Sequence, residues 1–131
     1  MEVGEYIASD MKCDMDLIRE LLTRIESDPR ADGKHWLKLE QLDIGQHSAE
    51  EVRYQILLLS EAGFIKADFS QPSLMPRILR LTWEGHEFLD DIRDPDIWEK
   101  TKERLKGLTS VGIAIFGEVA KAEIKKKLGL Q

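Results

Sequence analysis

The densest run of side chains that could do chemistry is Glu84, Glu87, Asp90, Asp91, Asp94 and Asp96, hard oxygen donors of the kind a divalent cation takes. The run lacks the sixth-position glycine and terminal glutamate spacing of a calcium loop, and several members fall where helix caps are expected. A solvated acidic face therefore accounts for it better than a metal site. His35, His47 and His86 are far apart in sequence, and neither HExxH nor a cysteine pair is present, so zinc finds no ligand set. Cys13 is the single cysteine and reads as a small, partly buried filler at the entrance of a helix, not as a nucleophile. The patterns GxxxxGK[ST], GxGxxG and GxSxG are absent. The residues point to a non-enzymatic chain with no cofactor and no metal.

A second chemistry to weigh is phosphate binding. Lys66, Arg77 and Arg80 lie on or beside a hairpin against one acid, Asp68, and Arg53, Tyr54 and Gln55 on the preceding helix could add DNA contacts. Ordinary edge protection also explains cations on a hairpin, because charge discourages edge-to-edge pairing. The helix itself is poorly suited to a major groove. With Val52, Ile56 and Leu59 directed inward, its other side carries Glu50, Glu51, Tyr54, Leu57, Leu58 and Glu61. Acids there are repelled by phosphate, and Leu57 and Leu58 together would form an apolar patch that something should cover.

The elements that must position these residues can be read in order. Asp14 is a plausible N-cap, and Leu17, Ile18, Leu21, Leu22 and Ile25 give an amphipathic helix that ends at Ser27-Asp28-Pro29. Trp36–Leu42 alternates as a half-buried strand, with Leu37 and Leu39 in and Lys38 and Glu40 out. Only Asp43 to His47 separates it from the next helix, too short a stretch for another full one. Ser48 with Glu51 forms a capping box, Ala49, Val52, Ile56 and Leu59 repeat at helical spacing, and Gly63 supplies a left-handed stop near Ala62. Ile65, Ala67 and Phe69 alternate next, a turn runs from Ser70 to Pro76, and Leu79 and Leu81 alternate with Ile78 and Arg80. Thr82 caps a helix with Phe88, Leu89 and Ile92 inward. Asp94-Pro95 starts another, with Ile97, Trp98, Thr101 and Leu105 on its apolar side and Gly107 at its end.

The last segment, Val111 to Leu128, is apolar first and lysine-rich later, where Lys121, Lys125, Lys126 and Lys127 complement the helix dipole. Val111, Ile115, Val119 and Ala122 form one stripe, but Ile113, Ala114, Phe116 and Ala120 broaden it to most of the circumference. Such a helix must be buried on several sides, in its own domain or against a partner. The candidate interaction surface is thus Leu57, Leu58, Val111, Ile115, Phe116 and Val119, with a homodimer or another protein as the expected partner. An interfacial membrane helix fits less well because the polar face is thin. Trp36, Trp83 and Trp98 are expected in the core or at its edge.

The 131 residues suit one domain, or a small domain with a helical extension. Hydrophobic residues make up 42%, enough for a core, and the 34% charged residues are mixed in sign. A net charge of -6 and a pI near 5.1 oppose wholesale attraction to nucleic acid or anionic membrane. No apolar run reaches the roughly 18 residues of a span, and no secretory leader pattern begins the chain, so a cytoplasmic protein is expected. Residues 1–10 carry no helical stripe and are expected to be a flexible lead, with Met11 standing directly before the first periodic segment.

The segments MKCDMDLIRELLTRIE (11–26), HSAEEVRYQILLLSEAGFI (47–65), RLTWEGHEFLDDIRD (80–94) and AKAEIKKKLGL (120–130) resemble a domain-of-unknown-function family, number 2513, found in bacteria and their prophages. The likeness runs from Met11 to the end, and LTWEGHEFLD is its most specific part. The resemblance implies a winged-helix-like fold and a mobile-element origin, and it brings no catalytic or ligand residues. The expected architecture is α+β and mainly helical: a winged-helix-like domain over 11–93 with a small three-stranded antiparallel sheet, then C-terminal helices over 94–131. The expected role is a protein-interaction or regulatory module. The alternative is a DNA-binding regulator that uses the hairpin and the flanks of helix 48–62.

Overall fold

The computed structural model describes residues 13–42, 44–71, 75–108 and 111–130, so the lead expected at 1–10 lies outside the described residues. The architecture is α+β and mainly helical, with one three-stranded antiparallel sheet. Helix α1 (Met15–Ser27) opens on Asp14, whose carboxylate accepts the Leu17 N–H at 3.1 Å. Its stripe of Leu17, Ile18, Leu21, Leu22 and Ile25 is fully buried. The strand expected over Trp36–Leu42 is cut to β1 (Leu37–Lys38). The Gln41 side chain accepts the Lys38 N–H at 2.9 Å, which curls Leu39–Gln41 into a 3-10 turn. Leu37 and Leu39 still face inward, as their alternation requires.

Helix α2 (Ala49–Glu61) is closed at both ends by its own sequence. Ser48 accepts the Glu51 N–H at 3.1 Å while Glu51 accepts the Ser48 N–H at 2.8 Å. At the other end Gly63 takes φ +81°, Phe64 N–H donates to the Leu59 carbonyl and Gly63 N–H to that of Ser60, the two bonds of a Schellman motif. Val52, Ile56 and Leu59 are buried, whereas Ala49 in the first turn stays exposed.

Strands β2 (Ile65–Asp68) and β3 (Arg77–Leu81) form the hairpin, and β3 lies between β1 and β2. Here one expectation is corrected. Lys66 pairs with Arg80 but Ala67 pairs with Ile78, so Leu79 is an extra residue at a bulge. The bulge resets the alternation, and Ile78 and Leu81 go inward while Leu79 is only half-buried.

Helix α3 (Trp83–Ile92) is stitched to the end of α2. Thr82 accepts the Gly85 N–H as N-cap, donates its N–H to the Phe64 carbonyl at 3.0 Å and its hydroxyl to the Gly63 carbonyl at 2.5 Å. Gly85 sits so close to the link between α2 and β2 that a Cβ would lie 2.0 Å from the Phe64 carbonyl oxygen. Phe64 and Phe88 stack beside it, ring centres 4.9 Å apart. Phe88, Leu89 and Ile92 are buried.

Helix α4 (Pro95–Leu105) starts at Asp94, which accepts the N–H groups of Asp96 and Ile97, and α5 (Ile113–Lys127) packs on both α3 and α4. Trp98 reaches Phe116 at 5.2 Å and donates its ring N–H to Asp16 at 3.0 Å, so α1, α4 and α5 meet at one aromatic pair. Arg19 of α1 donates to the Ile92 and Arg93 carbonyls at the end of α3. One continuous core runs from Met15 to Ala120. Among the described residues no helix is long and apolar enough to cross a membrane.

Candidate functional site

Antiparallel pairing sorts the sheet's side chains by face. Leu37, Ile65, Ile78 and Leu81 are buried against the helices, and Lys38, Lys66, Arg77 and Arg80 are all exposed. The register places Lys38 opposite Arg77, Arg77 opposite Asp68, and Lys66 opposite Arg80. Three of the expected cations are thus neighbours on one surface, and Lys38 is a fourth that the sequence reading left out. Its alternation with Leu37 and Leu39 was the available signal; the cross-strand partner was not visible. Asp68 is the acid of this face. Its carboxyl is lowered to about 2 by the Ser70 hydroxyl and N–H, then by Arg77, with which it pairs. Arg77 also lies over the ring of Trp36, 5.5 Å from its centre. Only Trp98 of the three tryptophans is core. Trp36 is 42% and Trp83 72% exposed, so of the three expected in the core or at its edge Trp83 departs furthest.

The helix preceding the hairpin presents a different chemistry. Glu50 and Glu61 are exposed on α2, and Glu51 is half-buried with His47 at 3.9 Å. Gln55, a candidate DNA contact, is buried at 1% exposure, and its carbonyl oxygen accepts the Asp14 N–H at 3.0 Å, so it joins α2 to α1 instead. Arg53 is half-buried and stacks over Phe69 at 5.7 Å; Tyr54 is half-buried too. Leu57 and Leu58 are half-covered by the chain itself, which reduces the patch expected there. A groove of about 200 Å³ opens beside the 3-10 turn, lined by Leu39, Leu42, Ile44, Val52 and Met75 with His47 at its side.

Helix α5 has one side satisfied within the domain. Phe116, Gly117, Ala120 and Glu123 are buried, Gly117 against the Phe88 ring and Glu123 on Arg104 at 2.9 Å. Phe116 is therefore a core residue, not part of an interaction surface. The stripe read as primary behaves otherwise: Ile115 is 50% exposed, and Val111, Val119 and Ala122 are half-buried. Leu108, 61% exposed, precedes it.

Four members of the acidic run, Asp90, Asp91, Asp94 and Asp96, have structural partners. Asp90 and Glu26 both hold Arg93, whose guanidinium keeps Glu26 below the usual carboxylate range, and His86 lies 3.3 Å from Glu26. Asp94 caps α4, Asp96 pairs with Lys100 and Lys127, and Asp91, raised by burial, faces Lys121 at 3.8 Å. Among the described residues no group of three or more His, Cys, Asp or Glu could hold a metal ion. Cys13 is exposed as a residue, yet partial desolvation of its thiol, then Asp14, pushes its pKa up, which disfavours the thiolate.

A family model described as "Hypothetical protein (DUF2513)" matches residues 12–112. An uncharacterised protein of Haemophilus influenzae is 36% identical over 121 residues, which cover 90% of this chain and 99% of the relative. No solved structure matches the chain. The extent of both matches settles the kinship: the chain belongs to the DUF2513 family.

Proposed function

We propose that this chain is a non-enzymatic, winged-helix-like regulatory module of bacterial or prophage origin that works in the cytoplasm through protein contacts, the first of them with a second copy of itself. The observation that carries this reading is α5. Its inward side is filled by Phe116, Ala120 and Glu123, and a further apolar stripe of Ile115 and Val119, extended by Val111 just ahead of the helix, is left partly in water, turned to one side of the first. The order helix, short strand, turn, helix, hairpin supports the winged-helix likeness, with the Leu39–Gln41 turn standing where a second helix would lie. That reduction, the exposed Glu50 and Glu61 and the burial of Gln55 argue against α2 as a groove-reading helix.

Sedimentation velocity across a dilution series tests the reading. A reversible dimer supports it, and a monomer at every concentration contradicts it. One observation favours a second reading, DNA binding through the hairpin and its neighbours: the exposed cations of the sheet, Lys38, Lys66, Arg77 and Arg80, face one carboxylate.

A further inference from the structure

We infer that the solvent face of the sheet binds single-stranded nucleic acid, with Trp36 as a stacking platform and Lys38, Lys66 and Arg80 as phosphate contacts; this rests on the second reading above and gives it a substrate class. The charge is concentrated. In a chain of net charge -6, four exposed cations share this face with Asp68, which Arg77 pairs. Local potential, not net charge, governs a polyanion at contact, because screening leaves only near charges effective within about 10 Å.

The aromatic ring decides between strand types. Trp36 is 42% exposed at the edge of the cationic rows, and Arg77 lies over it at 5.5 Å, an arrangement in which a ring and a guanidinium both offer flat surfaces. A base can stack on such surfaces only when it is unpaired, and stacking accepts any base. A duplex hides its bases and would need an element to enter a groove. The helix next to this face carries Glu50 and Glu61 outward and keeps Gln55 inside. The sheet is held in place, since β3 is bonded on both sides and Ile78 and Leu81 are buried in the core.

Fluorescence anisotropy of the full chain with a labelled single strand of about twelve nucleotides and the matching duplex tests this, at low and at about tenfold higher salt. The expected result is at least about tenfold tighter binding of the single strand, weakening with salt. Trp36→Ala should lose about tenfold in affinity, Trp36→Phe should retain most of it, and Lys66→Glu with Arg80→Glu should abolish binding at unchanged melting temperature. Duplex binding that needs Lys66 and Arg80 but ignores Trp36→Ala overturns the inference and leaves the DNA-binding reading standing. Failure to bind either strand type at low salt overturns both.

Discussion

Helices α2 and α5 are of similar length, yet they relate to their sequences in opposite ways. In α2 the acids Glu50, Glu51 and Glu61 mark an outer side, although Leu57 and Leu58 lie there too, and Val52, Ile56 and Leu59 face the core. Ser48, Glu51 and Gly63 then fix where it begins and ends. In α5 apolar residues occur on most sides, and its N-cap, Gly112, makes no side-chain bond. Which side turns inward is decided by tertiary partners: the Phe88 ring against Gly117, Trp98 against Phe116 and Arg104 on Glu123. The contrast teaches that acids along one side restrict which side can turn inward, whereas an apolar circumference leaves that choice to tertiary partners.

Substitutions can sharpen this contrast. Ile56→Ala, at a fully buried position of α2, should cost about 2 to 5 kcal/mol in urea unfolding, whereas Ile115→Ala on the surplus stripe of α5 should cost the isolated chain under about 0.5 kcal/mol. Equal costs would mean that Ile115 is core. The pair that orients α5 should respond asymmetrically. Arg104→Ala strands the carboxylate of Glu123, which is 5% exposed, and should cost about 1 to 3 kcal/mol, less than a fully buried pair because Arg104 is half in water and Lys126 remains at 3.9 Å. Glu123→Leu should be neutral or stabilising, since it removes the buried charge and leaves a guanidinium that water can solvate. Ser48→Ala removes one half of the α2 capping box and should lower stability by about 1 kcal/mol, because the Glu51 N–H loses its hydroxyl acceptor while the Glu51 carboxylate keeps the backbone N–H of residue 48.

The smallest effect concerns acid. Asp94 caps α4 and faces Lys127 in the last turn of α5, and the Ile97 N–H, then that of Asp96 and the lysine charge, hold its carboxyl below the ordinary 3.8. The folded chain therefore binds fewer protons there than the unfolded one. The contribution is fully present above pH 3.8 and fades as the pH falls below that value through the lowered folded pKa. Asp94→Ser keeps a capping hydroxyl without the titration, so its stability should decline less steeply on acidification.

Much of the frame was legible because the determining groups are local. Asp14, Ser48, Gly63, Thr82, Asp94 and Pro95 each act within a few residues, and all close helices where their positions imply. The departures have non-local or competing causes. The Gln41 side chain takes the Lys38 N–H and shortens β1, and the bulge at Leu79 exchanges inward and half-buried positions in β3. Periodicity records neither. Gly85 looks like a weak point in a helix until the Phe64 carbonyl is seen against it. The candidate surfaces divide likewise: Lys66, Arg77 and Arg80 were visible as a group, Lys38 needed the register, and Gln55 and Phe116 needed the neighbouring helices that bury them.

The most direct test of the proposed self-association is to compare two charged variants in the sedimentation dilution series, with melting temperature as a control. Ile115→Glu places a charge on the surplus stripe of α5, and Leu57→Glu with Leu58→Glu places charges on the outer side of α2. The account predicts that the wild-type chain forms a reversible dimer, that Ile115→Glu makes it monomeric with the melting temperature the wild-type chain shows at dilutions where it too is monomeric, and that the α2 variant still dimerises. A wild-type monomer at every concentration, or a dimer unaffected by Ile115→Glu, would contradict it.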